Sequence, residues 1–194
     1  MMETQSNSCA SFITKGGAKP GDKLILTKPV GSGTIMAAEM AMAETPGLVL
    51  GEAVASALRQ MSQPNGPAAA ILAPHADAMT DVTGFGLAGH LLEILDASNT
   101  AATLYAAAIP TLAGALALAA AGQASSLAPA NRAATISRIS GPETPLKALL
   151  YDPQTAGGLL AAVPAEIAET LLKAIPGAAI VGEITAGPPK ITLS

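Results

Sequence analysis

The chain has 194 residues, half of them apolar, with ten Lys and Arg against fourteen Asp and Glu for a formal charge of −4. That length suits one large domain or two small ones, and with two Phe, two Tyr and no Trp the core must be Leu, Ile, Val, Met and Ala. No basic cluster occurs, so nucleic-acid binding lacks the charge it needs, and the single Cys9 makes no internal disulfide, in keeping with a reducing cytoplasm.

Residues 1–18 are polar, Ser-rich and aperiodic, and read as a flexible arm or linker end. No basic region leads into an apolar run there, so no signal peptide is expected. Pro20-Gly21-Asp22 predicts a turn, 23–28 a strand ended by Pro29, and 34–43 a helix rich in Ala and Met. Helices follow at 50–61 and, more weakly, at 67–73. A strand at 78–82 precedes a helix at 85–97, and 100–106 alternates as another strand.

The stretch 101–122 has no charged residue, and mean hydropathy is +0.45. It has the length of a membrane span, but Thr103, Pro110, Thr111 and many alanines dilute it. Pro110 also divides it naturally into a strand and a helix at 111–121. No membrane span is expected. Residues 125–141 read as mostly irregular, 146–150 as a helical turn, and 158–163 as a strand. A helix at 164–174 and a strand at 179–184 follow, with a closing edge strand at 189–193. The alternation predicts one layered α/β or α+β domain over 19–194.

Little in this chain can do chemistry. Gly31-Ser32-Gly33 lacks the spacing of a phosphate loop and reads as a strand-to-helix turn needing positive φ. His90 reads as a packed or surface helix residue and His75 as a loop residue. No cluster has zinc spacing, and Cys9 has no neighbouring base to make it a nucleophile.

Met79-Thr80-Asp81-Val82-Thr83-Gly84-Phe85-Gly86 is richer. A short apolar lead-in delivers one carboxylate to a turn, and two glycines open an amphipathic helix. An acid beside the positive end of a helix suits a divalent cation and a phosphate. Mg²⁺ takes one or two carboxylates plus phosphate oxygens and water. Capping of the following turn is an equally common task for Asp, and the residues alone leave the two readings level. In Tyr151-Asp152-Pro153-Gln154-Thr155-Ala156-Gly157-Gly158, Asp-Pro starts a turn and Gly-Gly permits close backbone approach. This reads first as a tight connection, with a backbone anion site as the alternative.

MTDVTGFGLAGHLLEIL (79–95) and LYDPQTAGGLL (150–160) resemble the signature segments of the selenide, water dikinase (selenophosphate synthetase) family. KPGDKLILTKPVGSG (19–33) resembles the start of that family's second half, Val181-Gly182-Glu183-Ile184 its closing strand, and Asn131 its mid-domain Arg-Asn region. The order here is Asn131-Arg132, and Ala156 replaces the family's usual Ser.

The resemblance covers nearly all of 19–193 and implies the C-terminal domain of the aminoimidazole ribonucleotide synthetase-like fold. That is a layered α+β domain with helices packed on a mixed sheet. Members convert ATP, selenide and water into selenophosphate, phosphate and AMP. By resemblance Asp81 is one of several acidic ligands of Mg²⁺, and Thr83 and Gly84 neighbour the phosphates of ATP. The nucleophilic Cys or selenocysteine belongs to an N-terminal ATP-binding half, which also carries most of the family's dimer contact.

The expectation is therefore the C-terminal part of a longer cytoplasmic enzyme, inactive alone, partnered by its own N-terminal half. The alternatives are a purine-synthesis or hydrogenase-maturation relative, or a non-catalytic binding module.

Overall fold

Lys23-Leu24-Ile25-Leu26 faces two cores at once: Leu24 and Leu26 pack into a large apolar cluster, and Ile25 points into a smaller one. The period-2 alternation of a strand makes this possible. The computed structural model describes residues 13–194; Cys9 and positions 1–12 of the expected arm lie outside the described residues.

In chain order the elements are β1 (Lys23–Leu26), α1 (Ser32–Met40), α2 (Leu50–Met61), α3 (Gly66–Leu72), β2 (Ala78–Asp81), α4 (Gly86–Ser98) and β3 (Ala101–Leu104). Then come α5 (Ala115–Ala120), α6 (Ala128–Thr135), β4 (Ile139–Ser140), α7 (Pro145–Leu149), β5 (Leu159–Val163), α8 (Ala165–Ala174), β6 (Ala179–Thr185) and β7 (Ile191–Leu193). Short 3₁₀ turns occupy Ala106–Ala108 and Ile136–Arg138.

The strands form one sheet in the order β2-β5-β1-β6-β3-β7-β4. Pairing is antiparallel from β2 through β3 and parallel from β3 through β7 to β4. All five residues of β5 are buried, because helices cover both faces. Leu87, Leu91 and Leu95 of α4 fill the larger cluster with Leu24, Leu26 and Leu160. Ala168 and Leu171 of α8 and Leu72 of α3 close over Ile25, Ala161 and Val163 on the other face. The fold is α+β, as expected.

Three expectations need correction. Residues 125–141 are not mostly irregular: they contain α6, a 3₁₀ turn and β4. Pro129 lies in the first turn of α6, where its missing N–H costs nothing, and long-range contacts with α4 hold the helix. Nor is β7 an edge strand, since it lies between β3 and β4. The helix foreseen from 111 begins at Ala115, after Gly114 at φ 86°, because Thr111 bridges Val30 instead.

The charge-free stretch 101–122 is divided among β3, a 3₁₀ turn and α5. Among the described residues no helix is long and apolar enough to cross a membrane. Residues 13–18 lie along β2 and α4. The Met79 N–H donates to the Thr14 carbonyl at 3.0 Å, and the Ala18 N–H donates to the Ser98 hydroxyl at 3.1 Å.

Candidate functional site

β1 and β2 finish, and the antiparallel β5 begins, at the same end of the sheet, with Leu26 opposite Leu160 and Asp81 opposite Leu159. Three loops leave this end, and all three sequence motifs lie in them. Their backbones interlock: the Val82 N–H donates to the Gly158 carbonyl (2.8 Å), that of Gln154 to Thr83 (2.9 Å), and that of Ala88 to Leu150 (2.9 Å). The Asn131 side-chain amide donates to the Gly84 carbonyl at 2.8 Å and the Tyr151 carbonyl at 3.0 Å, so α6 clamps two motifs together. Gly86 has φ +72°, and a Cβ there would lie 2.6 Å from the Leu150 carbonyl oxygen. A Cβ on Gly157 would collide with the Val82 carbonyl. The Gly-Gly run is thus a tight connection.

Gln154 ties in the third motif. Its side-chain oxygen accepts from the N–H groups of Gly31 (2.9 Å) and Ser32 (3.1 Å) and from the Ser32 hydroxyl (3.1 Å). Its amide nitrogen donates to the carbonyl and carboxylate of Asp152. Asp152 in turn accepts from the Thr34 hydroxyl at 2.9 Å. Burial pushes the Asp152 carboxyl above the ordinary range, against bonds from Thr34, Gln154 and Gly33 that pull it down. The amino end of α1 is therefore filled by the chain's own side chains. Gly31, at φ 115°, is the turn glycine its position suggested.

Asp81 lies exposed at the end of β2. Helix α4 begins after Phe85 with no side-chain cap, so Asp81 does not cap it. Beside it, the half-buried Thr83 places its hydroxyl 3.1 Å from His90 Nε2. His90 Nδ1 lies 2.9 Å from Glu93 Oε2, which also receives the Lys15 ammonium at 2.7 Å. An ionised carboxylate only accepts, so Nδ1 carries the hydrogen, and on a neutral ring Nε2 accepts from Thr83. His90 is thus a packed helix residue that orients Thr83. His75 is an exposed turn residue.

Gly84 differs from the glycines around it. It is exposed, its φ is not positive, and a Cβ there would meet nothing within 4 Å. Nothing among the described residues requires a glycine at that place. Phe85, next to it, is 58% exposed and leans on His90 with ring centroids 5.5 Å apart. Among the described residues no three His, Cys, Asp or Glu side chains gather to hold a metal. Asp81 thus offers a divalent cation one exposed hard oxygen donor, three residues before a glycine that leaves the backbone open.

Sequence reading did not single out Thr34 or the double role of Gln154, which act between motifs, nor Glu93, which ties His90 to Lys15. Only the Asp-x-Gln spacing hinted at the role of Gln154. Residues 19–193 match the AIR synthase related protein family, C-terminal domain.

The chain belongs to this family.

Relatives include selenide, water dikinases of Myxococcus xanthus (strain DK1622), 40% identical over 189 residues, and Desulfitobacterium hafniense (strain DSM 10664 / DCB-2), 40% identical over 176. The matches cover 92% and 86% of this chain but 52% and 49% of the relatives, so the chain spans about half their length. Among solved structures, the thiamine-monophosphate kinase of Stenotrophomonas maltophilia K279a superposes with a TM-score of 0.66 at 18% identity. That superposition covers 94% of this chain and 52% of the kinase, and it bears on the fold of the domain alone.

Proposed function

We propose that this chain is the C-terminal half of a selenide, water dikinase, contributing one Mg²⁺ ligand and one wall of the channel that holds the phosphates of ATP. Gly84 is the observation that carries the reading: a glycine that no described residue of the chain requires, three residues after an exposed carboxylate, in a chain 40% identical to a dikinase over 189 residues. Lacking a Cβ, it lets an outside group approach the backbone closely.

Asp81 supplies a hard oxygen ligand, and Thr83 and Gly84 flank the phosphates. Bound Mg²⁺ would neutralise phosphate charge. On a neutral ring His90 Nε2 accepts a hydrogen bond from the Thr83 hydroxyl, so the oxygen lone pairs are left for the site. Phe85 is covered by the N-terminal half, which brings the remaining carboxylates, the nucleophile and most of the dimer contact. The assembled enzyme is cytoplasmic.

The chain alone is expected to release no AMP from ATP and selenide, and the chain fused after the N-terminal half of its Myxococcus relative is expected to release it. Selenide-dependent AMP release by the chain alone would overturn the division of labour. Release by the fusion without selenide would favour another substrate. A purine-synthesis or hydrogenase-maturation activity is the weaker reading, as is a non-catalytic module, because the 40% identity is to dikinases.

A further inference from the structure

On the far side of the 154–158 loop from Asp81, a cavity of about 650 Å³ opens between the end of β1, α3 and the carboxyl end of α8. That is within the size range of small-molecule sites. Most of its wall is apolar, including Pro64, Ile71, Pro110 and Ile175. Two polar residues of the lining are poorly matched by the protein itself.

Lys28 is 6% exposed. Its ammonium donates to the carbonyls of Gln63 (2.7 Å) and Ala156 (3.0 Å), leaving one N–H over. Among the described residues it forms no ion pair with a carboxylate. Burial pushes it below the ordinary lysine range. Buried charges are ordinarily paired, because desolvation otherwise disfavours them.

Asn65 is the second. Its amide nitrogen donates to the Gly157 carbonyl at 2.9 Å, an acceptor that fixes which end of the amide faces it. Its oxygen is buried without a donor.

We propose that this cavity binds a small organic monoanion: its charge meets Lys28, and its apolar body lies against the proline and isoleucine walls. The site lies apart from the Asp81 loop and does not depend on the dikinase reading. One cation selects one negative charge, and the apolar walls disfavour a bare inorganic ion.

The dye 8-anilinonaphthalene-1-sulfonate combines a sulfonate, an aromatic body and an N–H, and the chain has no tryptophan to confuse its fluorescence. It is expected to bind the 194-residue protein with one-to-one stoichiometry and to weaken at least tenfold in Lys28→Met. Neutral N-phenyl-1-naphthylamine is expected to bind both proteins alike. If Lys28→Met binds the sulfonate as tightly as the parent, the proposal fails, since apolar adsorption alone explains the signal.

Ala68→Phe, which keeps the lysine but fills the cavity wall, is expected to abolish binding; retained one-to-one binding would place the dye elsewhere. Competition needs no variant: salicylate should displace the dye and the neutral salicyl alcohol should not. Equal displacement by both would refute recognition of the anion.

Discussion

The Gln154 side-chain oxygen accepts the N–H of Gly31 at 2.9 Å across 123 residues of sequence. One side chain thereby caps α1 and fixes the 150–158 loop against it. Gln154→Ala would leave the Gly31 and Ser32 N–H groups buried without acceptors. Each such group costs about 1–3 kcal/mol, so urea unfolding should show a loss of about 3 kcal/mol. A loss under about 0.5 kcal/mol would mean that water replaces the amide there.

The two glycines of Thr83-Gly84-Phe85-Gly86 should respond oppositely to alanine. Gly86→Ala combines positive φ with a backbone collision, and should cost about 2 kcal/mol or more. Gly84→Ala enters open space at an ordinary φ, and should change stability by less than about 1 kcal/mol, in the stabilising direction. Yet Gly84→Ala should impair activity of the assembled enzyme. Thermal melts and AMP release measured on both variants separate the two effects.

Glu93 links His90 to Lys15. Burial alone pushes its carboxyl up, but bonds from Lys15 and His90 outweigh this and hold it below the ordinary range. A carboxylate depressed in the folded state contributes stability that is full above its unfolded pKa and is lost as pH falls through the folded one. The Tm gap between the parent and Glu93→Gln should therefore be widest near neutrality and close as the medium is acidified through the carboxylate range. A gap that widens on acidification would contradict the assignment.

Legibility in the sequence followed locality. Helix α2 was readable to the residue, because its start after Val49 and its apolar spacing are local signals. The 79–86 and 150–158 motifs were readable because Gly86, Gly157 and Gly158 record close backbone approach. By contrast α6, with Asn131 and Thr135 in it and Ser137 just beyond, reads as irregular until Asn131 is seen clamping Gly84 to Tyr151. β4 is two residues long and exists only because β7 lies beside it, a pairing no local pattern reveals. The buried isolation of Lys28 was equally hidden, since a lysine at a strand end usually reads as exposed.

Asp81→Asn in the fusion with the N-terminal half, assayed for selenide-dependent AMP release across a Mg²⁺ titration, tests the central claim most directly. Asp81 is exposed and caps nothing, so the substitution should leave stability within about 0.5 kcal/mol. Removing a ligand from a metal–phosphate clamp should lower the rate about 100-fold or more and shift the Mg²⁺ requirement upward. An unchanged rate with an unchanged Mg²⁺ dependence would contradict the account.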